Sequence, residues 1–214
     1  MKKLLVSLAC LTLIGTSYAH EHGWMVSLKQ GYFVPQEKVL RDIFSCSGSK
    51  GGYFVEGALR YNVWDELYLE LNGSYFGRKG HALIIPTSTS GSCGQHSCGC
   101  GECVSVKIPT VGFVVKYYWW FRDYVSAFLG GGIKGFFVKI HNDSPYVNQC
   151  DNKNAVGGFV HTGLLFDVYK GLFFELFADY LGTRLKCPCA DTSSVQYKLN
   201  VGGFAGGVGI GYKF

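Results

Sequence analysis

The stretch Tyr197–Phe214, YKLNVGGFAGGVGIGYKF, decides how the rest of the chain is read. Counted back from its end, the even positions are Phe214, Tyr212, Ile210, Val208, Gly206 and Phe204. The odd positions are Lys213, Gly211, Gly209, Gly207, Ala205 and Gly203. Successive strand residues point to opposite faces, so one face is large and apolar and the other almost all glycine. Glycine makes a poor solvated surface but suits a crowded interior. The expectation is a strand with its apolar side toward lipid and its small side toward a lumen, closing a membrane barrel.

The composition fits. Thirty glycines and 16% aromatics beside only 16% charged residues suit a β protein with tight turns and amphipathic strands. At the N-terminus, Lys2 and Lys3 precede the apolar run Leu4–Ile14 and the small-x-small site Ser17-Tyr18-Ala19. A spanning helix needs ~20 apolar residues, so this run is expected to be a secretion signal. Residues 1–19 are then a cleaved leader, cut between Ala19 and His20, and 20–214 a barrel domain. A lipoprotein reading through Cys10 has too short an apolar run before it. The net charge of +5 becomes +3 once Lys2 and Lys3 leave, too weakly basic to argue for nucleic acid.

The remaining chain divides into eight amphipathic runs, near Trp24–Phe33, Gly51–Asn62, Glu66–Phe76, Val104–Tyr118, Tyr124–Phe137, Val156–Val168, Leu172–Leu181 and Tyr197–Phe214. Each reaches the ~9–11 residues of a tilted spanning strand. Three connections are tight, at Val63-Trp64-Asp65, Phe121-Arg122-Asp123 and Tyr169-Lys170-Gly171. Four are long: Val34–Lys50, Gly77–Cys103, Val138–Ala155 and Gly182–Gln196. The fold class expected is all-β, an eight-stranded antiparallel transmembrane β-barrel with periplasmic termini, short periplasmic turns and long extracellular loops.

Parity sharpens this. The apolar faces carry Val26, Leu28, Tyr53, Val55, Leu59, Leu67, Leu69, Leu71, Val111, Phe113 and Val115, then Ala127, Leu129, Ile133, Thr162, Leu164, Phe166, Leu172, Phe174 and Leu176. The opposite faces hold Lys29, Glu56, Arg60, Glu70, Lys116, Lys134, Asp167, Glu175, Asp179 and Lys213. A cation on the lipid face at mid-bilayer costs ~2–4 kcal/mol, so charges belong in the lumen. Lys107, Lys139 and Lys198 break parity, near strand tops where that penalty fades. Trp24, Trp64, Trp119 and Trp120 mark one rim. Tyr32, Tyr53, Tyr75, Phe136, Phe137, Tyr180 and Tyr197 mark the other, as two interfacial belts would. A soluble sandwich or lipocalin-like barrel also alternates, but does not call for leader, belts and charge parity together.

The tail Val208-Gly209-Ile210-Gly211-Tyr212-Lys213-Phe214 resembles the C-terminal signal read by the outer-membrane assembly machinery. The segments Ile108–Tyr118 and Phe128–Ile133 resemble strands of the OmpA-like, OmpX-like and opacity-protein group of eight-stranded outer-membrane barrels. The resemblance covers most of the chain as a pattern and is specific for fold. It implies an outer-membrane location, the assembly machinery as a partner, and Val208, Ile210, Tyr212 and Phe214 as the assembly signal.

Cysteine-rich loops depart from that group. Cys46, Cys93, Cys98, Cys100, Cys103, Cys150, Cys187 and Cys189 all fall in or at the end of long connections. An even number in a secreted chain implies disulfides, with 105 connectivities open. The expectation is a cross-linked cap of ~2–4 kcal/mol per bridge. Intermolecular bridging resembles the disulfide-linked envelope of chlamydia-like bacteria. A metal rival uses Cys93, Cys98, Cys100 and Cys103 with His96, or Cys187-Pro188-Cys189 and His20-Glu21-His22. Its spacing is not that of a standard finger and an oxidising exterior favours bridges, so no metal and no cofactor is expected.

No catalytic constellation stands out. His161 reads as a structural hydrogen-bonding partner in the lumen, and nothing brings Ser45, Ser47, His81 or His141 together. Gly130-Gly131-Gly132 does not open a helix, which excludes a phosphate loop. Eight strands enclose only enough space for side chains. The function expected is non-enzymatic: envelope structure and surface interaction through disulfide-linked loops, with lipid, host surface molecules or linked envelope proteins as partners. The alternative is a narrow channel or small-ligand carrier.

Overall fold

Alternating inside-out strands can hide their charges only by closing on themselves, and the chain does so. The computed structural model describes residues 23–36, 50–82, 102–142, 153–188 and 196–214. Its strands are β1 (Trp24–Pro35), β2 (Gly52–Trp64), β3 (Leu67–Ala82), β4 (Glu102–Arg122), β5 (Val125–Asn142), β6 (Lys153–Tyr169), β7 (Leu172–Gly182), β8 (Arg184–Pro188), β9 (Gln196–Asn200) and β10 (Gly203–Lys213). Eight of them form a closed antiparallel barrel in the order β1-β10-β7-β6-β5-β4-β3-β2, while β8 and β9 pair only with each other.

The last run is therefore not one strand. Tyr197–Asn200 belongs to the β8–β9 hairpin, which occupies the stretch expected to be the fourth loop, and only β10 closes the barrel on β1. The break is at Val201-Gly202. The Gly202 amide donates to Asn200 Oδ1 at 3.0 Å, and its carbonyl accepts the Gln36 amide at 2.9 Å. A Cβ at Gly202 would stand 2.2 Å from the Leu181 carbonyl oxygen, so only glycine fits. Alternation alone runs straight through such a bend.

Three two-residue turns close the short end. Asp65 (φ 40), Lys170 (φ 42) and Gly171 (φ 86) adopt left-handed backbone, as tight hairpins that follow strand twist require. Turns are tied to neighbouring strands: the Tyr118 amide of β4 donates to the Glu66 carbonyl at 3.0 Å and the Lys213 amide of β10 to the Gly171 carbonyl at 2.8 Å. At the other end β3, β4 and β5 run on past β7 and β10. The β4–β5 ladder skips Ile108 and Pro109, since proline has no N–H to give.

The wall is apolar outward. Leu28, Val55, Leu71, Phe113, Leu129, Ile133, Leu176 and Ile210 are exposed, and of the residues assigned to the apolar face none is buried. One belt assignment is corrected: Phe136 is 3% exposed and points inward, because Phe137 takes the outward position. Cys103 and Cys187 lie on β4 and β8 rather than in loops, opposite His81 and Tyr197. The leader with Ala19 and His20, the His20-Glu21-His22 run, Ser45, Cys46, Ser47, Cys93, His96, Cys98, Cys100, Cys150 and Cys189 lie outside the described residues.

Candidate functional site: the charged lumen

Inward parity puts ionisable side chains from seven of the eight strands into the bore. Lys29 comes from β1, Glu56 and Arg60 from β2, Glu70 from β3, Lys116 from β4, Lys134 from β5, His161 from β6, and Glu175 and Asp179 from β7. Each is at most 4% exposed. Four cations meet four carboxylates, so their formal charges cancel.

The contacts form one network. Glu70 accepts from Arg60 Nε at 2.5 Å, Lys116 Nζ at 2.5 Å and Asn72 Nδ2 at 3.0 Å, with Lys29 Nζ at 3.4 Å. Glu175 takes the Arg60 Nη2 donor and lies 3.5 Å from Lys29 and 3.9 Å from Lys116. Glu56 bridges Lys29 at 3.2 Å and Lys134 at 2.9 Å. Asp179 pairs with His161 Nδ1 rather than with a lysine, and His161 Nε2 lies 3.3 Å from Glu175. Of these two carboxylates, Glu175 thus has cations around it, while Asp179 has the imidazole. Isolated buried charge costs many kcal/mol, and a paired cluster offsets that cost only when nearly every lone pair and N–H is used.

Phenylalanines sheathe the cations. Lys29 Nζ stands 5.5 Å from the Phe177 ring centre, Arg60 Cζ 5.6 Å from Phe173, Lys116 Nζ 4.7 Å from Phe128 and Lys134 Nζ 4.7 Å from Phe159. Such placements add attraction to the ring face and keep water away. These rings carry no titratable group, so only their inward parity marks them in the sequence.

Glycine makes the room. Lys29 is flanked in register by Gly209 of β10, and Gly209 by Glu175 of β7. Lys116 faces Gly130, Gly130 faces His161, and Lys134 sits between Gly112 and Gly157. A Cβ at Gly130 would meet Lys116 Cγ at 2.8 Å, and one at Gly211 would meet Phe173 Cζ at 2.3 Å. The largely glycine face of the closing strand is the space that long side chains of its neighbours occupy.

Lys213 and Asp167 stand apart, as a 2.6 Å ion pair about one-quarter exposed at the short-turn rim, with Lys213 over Trp120. Val208, Ile210, Tyr212 and Phe214 line the outer face beside them, and the Phe214 amide donates to the Trp24 carbonyl at 2.8 Å. Chemically the middle of the lumen is a buried salt-bridge network. His161 is stacked on Phe128 at 5.0 Å and its two nitrogens face carboxylates and Lys29, so it presents no free edge to a substrate. Among the described residues no group of three or more His, Cys, Asp or Glu is arranged to hold a metal.

No protein-family model matches the chain, and no curated protein matches it. Solved structures do. OprG of Pseudomonas aeruginosa superposes with a TM-score of 0.60 at 11% identity, over 90% of this chain and 95% of that one. Neisserial surface protein A gives 0.54 at 12%, over 92% and 100%. Outer membrane protein W of E. coli gives 0.53 at 15%, over 92% and 100%. The fold is that of the small outer-membrane barrels. At such identities the likeness concerns the barrel alone, and the network of Lys29, Arg60, Glu70 and Glu175 is read from this chain's own side chains.

Proposed function

We propose that this chain is a non-enzymatic barrel of the bacterial outer membrane, serving envelope structure and surface contact. Residues 1–19 are its removed leader, the short turns and both termini face the periplasm, and Val208, Ile210, Tyr212 and Phe214 are read by the assembly machinery. The observation that carries the reading is the buried ion cluster, which occupies the middle of the bore and supports contact through the loops rather than through a pore. An apolar outside with charge inside supports lipid as the surrounding medium. In planar bilayers the purified barrel is expected to show no steady conductance. Conductance that scales with solute size would overturn the sealed-bore reading.

The eight loop-side cysteines are proposed to cap that face. Cys103 is next to the start of β4 and Cys187 next to the end of β8, which favours bridges among loops over bridges through the wall. Mass mapping without reduction, on protein from native membrane, is expected to find no free thiol among the eight. Eight free thiols would remove the cap, and peptides linked to a second protein would make the cysteines envelope cross-links.

A second reading rests on a different observation. Above the ions the lumen holds a cavity lined by Phe33, Phe54, Phe76, Ile108, Phe136 and Leu181, with Lys134 and Asp179 at its edge. That lining suits a small apolar ligand. The same bilayer preparation would favour this carrier reading if it took up a small apolar dye while remaining non-conducting.

A further inference from the structure

Two of the lysines that break parity are Cα partners directly opposite one another on β4 and β5, Lys107 and Lys139. Both are exposed on the outer wall, and neither makes an ion pair or hydrogen bond among the described residues. Like charges directly opposite destabilise a ladder unless something screens them. Gly77, the β3 partner of Lys107, offers no side chain to do so. One outward row down stand Tyr75, Pro109 and Phe137, so the pair lies immediately above aromatic side chains of the kind found at a membrane interface.

A second observation lies below. Gly57, Gly73 and Val111 share one outward row, and with Leu59 and Leu71 they border a shallow apolar groove. A Cβ at Gly57 would meet nothing within 4 Å, so the groove is open. Val111 is four residues along β4 from Lys107, about 13 Å at strand rise. A cation pair at headgroup height with an apolar groove beneath it has the polarity of a phospholipid, whereas free phosphate has no use for the groove.

We propose that the outer wall of β3, β4 and β5 binds a phosphate-bearing lipid, its phosphate held between Lys107 and Lys139 and an acyl chain lying in the Gly57–Gly73 groove. The two ammonium groups reach one phosphate from facing positions and share its charge. The proposal rests on the membrane-inserted reading above, and the test separates the two.

The full chain is reconstituted in phosphatidylcholine nanodiscs containing a few per cent phosphatidic acid, and the lipids it retains are counted by native mass spectrometry. Retained phosphatidic acid is expected to exceed its share of the bilayer. In the double variant Lys107→Gln/Lys139→Gln that preference should fall by roughly ten- to thirty-fold, the effect of two near-surface cations. Lys107→Arg/Lys139→Arg should restore it, and Lys170→Gln at the opposite rim should leave it unchanged. Gly57→Leu, which fills the groove without strain, should weaken retention of both lipids and spare the headgroup preference. Normal insertion with no preference, or a preference unchanged in the double glutamine variant, overturns the lipid site alone. A chain that does not insert overturns the barrel reading and the site with it.

Discussion

Glu70→Ala is expected to destabilise the barrel by about 3–5 kcal/mol, the cost of removing one partner from a buried charge network. Glu70 accepts from Arg60, Lys116 and Asn72 and lies 3.4 Å from Lys29. Without it, four cations share three carboxylates. Arg60, Lys116 and Lys29 are at most 1% exposed and cannot turn to solvent. Alanine also vacates a volume in which the Phe-covered cations have no new acceptor. Urea unfolding in lipid vesicles, followed by tryptophan fluorescence and by the mobility shift of the folded band, measures the loss. Asp167→Ala is the comparison, because its partner Lys213 is about one-quarter exposed and such a pair contributes only ~0–1 kcal/mol. A Glu70→Ala protein that unfolds at the wild-type midpoint would show that the network is not assembled around this carboxylate.

Phe113→Arg is expected to cost about 2–4 kcal/mol in lipid, close to the figure for a cation at mid-bilayer on a barrel's outer face. Phe113 is outward on β4, with Leu71 of β3 and Ile133 of β5 as its row neighbours, both exposed and apolar. No carboxylate shares that row. The folded fraction after insertion into vesicles reads the effect. Ser105→Arg, on the same face near the top of β4, should change it little. In a water-soluble sheet the first substitution would relieve an exposed apolar surface and be neutral or favourable. An unchanged folded fraction in vesicles therefore argues against lipid around this wall.

The barrel was legible in the sequence because period-2 alternation is a local property of backbone geometry, repeated eight times with most strand charges on one parity. The same count places Lys29, Glu56, Arg60, Glu70, Lys116, Lys134, Glu175 and Asp179 on one side of the wall, and all eight are buried there. Partner choice was not legible. Asp179 meets His161 through the register of the β6–β7 hairpin, and Lys134 meets Glu56 because β5 and β2, not neighbours in the wall, face each other across the bore. Nor was the bend at Gly202, since a glycine at a break and a glycine lining a crowded interior look alike in a string of letters. Phe136 and Phe137 are separable by the count that puts Ile133 outward and Lys134 inward, and placing both in one belt overlooks that alternation.

By itself the sequence determined which face each strand residue takes, and so that this is an inside-out β protein with glycine where space is short. The reason is that side chains alternate along any extended chain, whatever it packs against. Only the tertiary structure decided that Gly209 lies between Lys29 and Glu175, that the last run splits into β9 and β10, and that Lys107 and Lys139 face each other. Those are properties of pairing between strands, and a one-residue slip, invisible in composition, would change every one of them.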